Sequence, residues 1–94
     1  MEQLRQQVIT MQRRVNDSLD KPSDPVAGHL KREIQALEDD LQVSKSAGTI
    51  EERVKRIVAI LQGDARRAQI MDIEHLESFR QWFEGLRQSV RKLG

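Results

Sequence analysis

Four stretches of this sequence place apolar side chains at intervals of three and four residues, and this spacing constrains the fold more than any other feature. In an α-helix such residues share one face, so each stretch predicts an amphipathic helix with one apolar stripe. The most regular stripe lies near the C-terminus and follows a heptad pattern typical of coiled coils. Its members are Leu76, Phe79, Phe83, Leu86, Val90 and Leu93.

Helix-breaking and helix-starting residues separate the first three stretches. Two prolines within residues 20–25 end the first helix, because proline cannot continue a helix. Asp24 is placed to cap the second helix, with Pro25 at its first position. Gly48 predicts a left-handed stop to the second helix. Residues 49–52 read Thr-Ile-Glu-Glu, a capping box that predicts the start of the third helix.

Gly63 leaves the end of the third helix open, since it can either end the helix or lie inside it at a cost of about 1 kcal/mol. We expect a single helical-bundle domain over residues 1–94. Short connectors make neighbouring helices antiparallel, which predicts an all-α, up-down bundle of four helices. If Gly63 breaks the third helix, the alternative is three long helices and one short helix. The expected helices cover about 2–19, 25–44, 50–62 (possibly extending to 69) and 73–92.

The composition excludes several classes of protein. The chain has no cysteine and two histidines, so thiolate metal sites and disulfides are excluded, and we expect neither a metal nor another cofactor. The formal net charge is +1, without the basic excess of a general nucleic-acid binder. The start of the chain lacks the features of a secretory signal, and no apolar run is long enough to cross a membrane. We expect a cytoplasmic protein with no membrane contact.

The charges of the second helix run against its dipole, which favours acidic residues at the start and basic residues at the end. One interpretation is that an antiparallel third helix supplies the compensating cations. The other is that the acidic end docks a basic partner. The residues concerned are Lys31 and Arg32 at the start, Glu38, Asp39 and Asp40 at the end, and Arg53, Lys55 and Arg56 on the third helix.

An excess of apolar side chains near the fourth helix suggests a partner-binding surface. Trp82 falls on the flank of the stripe that contains Phe79, and tryptophan is enriched at binding hot spots. Ile70, Met71 and Ile73 add further apolar surface just before this helix. A contiguous apolar patch that one chain cannot bury implies a protein partner or a second copy. The leading hypothesis is therefore a helical protein–protein interaction or oligomerisation module.

Two alternatives rest on fewer residues. Arg66 and Arg67 lie near a helix break and predict a local contact with nucleic acid, which would make the chain a small nucleic-acid-associated regulator. His29 and His75 each lie near a glutamate and resemble acid-base pairs. However, the sequence has no zinc-protease motif, phosphate-binding loop or nucleophile elbow. We therefore expect no catalytic residue, no small-molecule substrate and no enzymatic activity.

Overall fold

A computed structural model describes residues 2–93, and every regular element in that range is a helix. The helices are α1 (Glu2–Ser18), α2 (Pro25–Gln42), α3 (Ala47–Gln62), α4 (Asp64–Ala68) and α5 (Ile73–Leu93). The predicted all-α helical bundle is confirmed. Four helices of 16 to 21 residues form it, and the five-residue α4 links α3 to α5.

Neighbouring long helices run antiparallel, as ion pairs between their opposite ends show. Arg5 near the start of α1 pairs with Glu38 near the end of α2, at 3.7 Å between Nη2 and Oε1. Glu51 near the start of α3 pairs with Arg91 near the end of α5, at 2.9 Å between Oε2 and Nε. The product is a rod whose Cα atoms extend over 34 × 18 × 17 Å, as expected for helices of this length.

The core is one continuous cluster to which all five helices contribute. Each long helix turns its predicted stripe inward, because burying apolar side chains is the main favourable term in folding. The exception is Leu93 at the end of the α5 stripe, which is exposed. Trp82 and Leu4 pack against this cluster while remaining partly exposed. The largest side chains that are fully buried include Val8, Leu30, Ile34, Ile57, Leu61 and Phe83.

The start of α3 differs from the prediction. The helix begins at Ala47, and its cap is Ser46, whose hydroxyl oxygen accepts a hydrogen bond from the Thr49 backbone N–H at 3.3 Å. The start at residue 50 that the capping box predicted is therefore about one turn too late. Gly48 lies inside the first turn instead of ending α2. Serine is as good a cap as threonine, so an earlier serine can begin the helix.

The left-handed residue after α2 is Ser44, with φ 55°, and not Gly48. This conformation lets the backbone N–H of Lys45 reach the carbonyl oxygen of Asp40 at 3.0 Å, which satisfies a carbonyl group at the end of α2. The hydrogen bonds at the helix end hold a non-glycine residue in a conformation that serine rarely adopts.

Gly63 breaks the third stretch, with φ −113° and ψ −91°, and the chain continues as the short helix α4. Four long helices, not three, accompany this short one. A left-handed Gln69, with φ 53°, then turns the chain toward α5. The carbonyl oxygen of Ile70 accepts hydrogen bonds from the backbone N–H groups of Asp20, at 2.7 Å, and Lys21, at 3.3 Å. These bonds tie the α1–α2 loop to the α4–α5 loop at one end of the rod.

Candidate functional site

Of the three α3 cations in the first interpretation, Arg53 compensates the acidic end of α2, whereas Lys55 pairs with Glu52 of its own helix and Arg56 forms no ion pair within residues 2–93. The Arg53 guanidinium lies 3.2 Å from Asp40, which is buried, and 3.2 Å from Glu33. Partial burial opposes its charged form, but the hydrogen bond to Asp40 and the charge of Glu33 outweigh this and raise the pKa of Arg53. Glu38 pairs with α1 through Arg5. Three carboxylates of α2 are therefore engaged within the bundle and are poorly placed to dock a basic partner.

Polar side chains bridge three of the four seams between neighbouring long helices. Besides their apolar contacts, these seams carry ion pairs or hydrogen bonds that fix the register of one helix against the next. The bridges are Arg5–Glu38 and Gln12–Gln35 between α1 and α2, Arg53–Glu33 and Arg53–Asp40 between α2 and α3, and Glu51–Arg87 and Glu51–Arg91 between α3 and α5.

The fourth seam, between α1 and α5, is different. Across residues 2–93, no hydrogen bond or ion pair joins α1 to α5, and their backbones lack the close approach of the other neighbouring pairs. Three shallow depressions of about 410, 390 and 310 Å³ follow the seam. We call this surface the α1–α5 groove, and its central residues are Leu4, Gln7 and Met11 of α1 with Trp82, Gly85 and Ser89 of α5.

The α1–α5 groove is nearly free of charge. Its walls combine apolar side chains with neutral glutamine, serine and threonine, and among residues 2–93 Arg14 is the one charged residue that lines the three depressions. Arg14 forms no ion pair within residues 2–93. An apolar floor with neutral hydrogen-bonding groups along its rim suits an amphipathic helix of a protein partner.

Trp82 is the largest side chain in the groove. It is partly buried and packs edge-on against Phe83, with 5.0 Å between the ring centroids and 89° between the ring planes. The indole lines two of the three depressions. A partly exposed tryptophan in a groove is typical of an interface hot spot.

The other predicted partner-binding residues lie elsewhere. Ile70, Met71 and Phe79 are buried in the core, so a partner could reach them only after a rearrangement of the bundle. Ile73 is 52% exposed, but it lines a separate cleft at the end of the rod beside Lys21. The structure therefore does not gather the five candidate residues into one patch. The sequence analysis did not identify the α1 side of the groove. The feature that could have revealed it is the run of uncharged residues on one flank of α1.

The two candidate nucleic-acid residues do not form a uniform basic patch. Arg67 pairs with Asp64 on its own helix. Arg66 lines the cleft at the end of the rod together with Asp20 and Asp72, whose carboxylates offset its charge. Phosphate binding needs a positive surface potential, and neighbouring carboxylates weaken it here.

The histidines also lie apart. His29 is exposed on α2. The backbone N–H of His75 donates to the carboxylate of Asp72 at 2.9 Å, and its Nδ1 lies 2.5 Å from the second oxygen. These bonds cap the start of α5 and lower the pKa of Asp72. In the described part of the chain, no three histidine, aspartate or glutamate side chains converge as a metal site.

Fold and site together define an all-α helical bundle with one open seam. No protein-family model, curated protein or solved structure matches this chain. Among the described helices, none is both long and apolar enough to cross a membrane.

Proposed function

We propose that this chain is a non-catalytic helical interaction module that pairs with a second copy of itself across the α1–α5 groove. The observation that supports this most is the contrast between the seams: three are bridged by polar side chains, and the fourth exposes Trp82 in a neutral groove. Burial of an aromatic side chain supplies much of the free energy of association in interfaces of this kind.

The charge of the groove favours a second copy as its occupant. Two identical surfaces that meet around a two-fold axis carry the same net charge, so a strongly charged surface would repel its own copy. The α1–α5 groove avoids this repulsion because, in the part of the chain that the structure describes, Arg14 is the one charged residue along its length. The side of the rod measures 34 by 18 Å between Cα atoms, and its side chains extend it further. This is comparable with the roughly 800 Å² that each partner contributes to a standard stable interface.

Sedimentation equilibrium from micromolar to millimolar concentration tests the proposal. We expect the wild-type chain to form a dimer as concentration rises. Trp82→Gln should raise the dissociation constant by about 30-fold, the equivalent of a hot spot worth about 2 kcal/mol. The control is Ile73→Gln, which removes an exposed apolar side chain outside the groove and should leave the dissociation constant unchanged.

A wild-type chain that stays monomeric throughout this range would overturn the proposal. Foreign helices would then become the occupants to test. An equal effect of the Trp82 and Ile73 substitutions would also contradict it, because association would then depend on general surface hydrophobicity and not on the groove.

A further inference from the structure

Gly85 has no role within the chain that requires a glycine. It lies in the middle of α5, and within residues 2–93 no glycine has a positive φ. A Cβ atom added at Gly85 would meet nothing within 4 Å. Glycine inside a helix lowers stability relative to alanine. Gly85 is exposed and lines the α1–α5 groove, so its bare backbone is available to a neighbouring molecule.

The exposed flank of α5 is complementary to itself in shape when two copies run antiparallel. Ser78, Trp82, Gly85 and Ser89 share this flank, because they are spaced by four, three and four residues. Trp82 and Gly85 are equally distant along the helix from the point between residues 83 and 84. The same is true of Ser78 and Ser89. A two-fold axis at that point would place the large side chain of each copy against the bare position of the other.

The charges next to this flank agree with the same arrangement. Glu74 and Lys92 lie at opposite ends of α5 on the side of the helix that includes Gly85, and neither forms an ion pair within residues 2–93. They are nearly equidistant from the proposed axis. In an antiparallel pair of α5 helices, Glu74 of each copy would face Lys92 of the other, which gives two ion pairs. These pairs favour the antiparallel orientation over the parallel one.

We propose that two copies pack α5 against α5 in antiparallel orientation around a two-fold axis near residues 83–84, with Trp82 of each copy over Gly85 of the other. This inference rests on the proposed self-association and adds its register. A small residue at a helix crossing leaves space on the helix surface. At Gly85 the indole of the other copy would fill this space.

Gly85→Ala separates this role from ordinary helix stability. We expect the variant to raise the melting temperature of the monomer, because alanine is the better helix former, and to weaken dimerisation about tenfold, because the new methyl group displaces the indole. Gly48→Ala is the matched control, since a Cβ at Gly48 also meets nothing within 4 Å and Gly48 lies in α3. It should leave dimerisation unchanged. An unchanged dissociation constant for Gly85→Ala would overturn the register.

Cysteine cross-linking tests the same register directly, because the chain has no cysteine of its own. A mixture of the Ser78→Cys and Ser89→Cys variants should form a disulfide between the two variants on mild oxidation, whereas each variant alone should not. Disulfides within the Ser78→Cys sample alone would indicate parallel helices and overturn the inference. If the wild type dimerises through Trp82 but the mixture does not cross-link, the register is wrong and the proposed function stands. A monomeric wild type contradicts both.

Discussion

At the scale of single residues, the most consequential polar side chain is Arg53. It links two helices by binding Glu33 and the buried Asp40, so its removal would leave a carboxylate in the bundle without a cation. Breaking a partly buried pair by removing one partner costs more than the pair itself contributes, because the remaining charge is left desolvated.

Arg53→Met should therefore lower the free energy of unfolding by about 2 to 3 kcal/mol, as measured by urea denaturation. Arg56→Met is the control, because Arg56 is exposed on the same helix and forms no ion pair within residues 2–93. It should change stability by less than about 0.5 kcal/mol. Equal effects of the two substitutions would show that the ion pairs between α2 and α3 add nothing to the free energy of unfolding beyond the effect of replacing an exposed arginine.

At the scale of helices, the sequence predicted which segments are helical more reliably than where they begin. Periodic apolar residues indicate the buried face of each helix, and all four stripes point inward except at Leu93. The start of α3 was missed because the Thr49–Glu52 pattern was preferred to Ser46, although serine ranks above threonine as a cap and Ser46 accepts the Thr49 backbone N–H. Trp82 was found because its phase relative to the stripe places it on a flank. The groove was not found, since the flank of α1 that faces α5 depends on the handedness of the bundle.

The start of α5 gives a prediction about pH. Hydrogen bonds from His75 lower the folded-state pKa of Asp72 below its unfolded value of about 3.9. A lowered carboxyl pKa adds stability above the unfolded pKa, and this contribution is lost as pH falls through the folded pKa. Asp72→Ala should therefore destabilise the protein at neutral pH, and its difference from wild type in urea denaturation should shrink below about pH 4. A difference that is constant with pH would contradict this origin. Asp17→Ala, at an exposed position that has no ion pair with any described residue, serves as the control.

At the scale of the whole molecule, the α1–α5 seam, which lacks polar bridges, predicts that some segments of the bundle unfold locally more easily than others. Bonds to Ile70 hold α1 near its end, whereas its first half faces α5 without a polar contact in the described range. The helix α3 is bridged to α2 through Arg53 and to α5 through Glu51. In hydrogen exchange of the dilute monomer, amides of residues 4–11 in α1 should therefore exchange faster than those of residues 54–61 in α3. Equal protection of the two segments would mean that the bundle opens as one unit.

The neutrality of the groove also bears on how quickly two copies find one another. Fast protein association depends on long-range attraction between opposite potentials, and a surface on which Arg14 is the one lining charge among the described residues offers little of it. The two Glu74–Lys92 pairs lie at the ends of the proposed interface and add only modest steering. The association rate constant should then lie near the unsteered value of about 10⁵ to 10⁶ M⁻¹ s⁻¹ and fall only modestly as ionic strength rises. The lifetime of the pair, set by how well the indole is enclosed, would determine how much of the protein is paired in a cell.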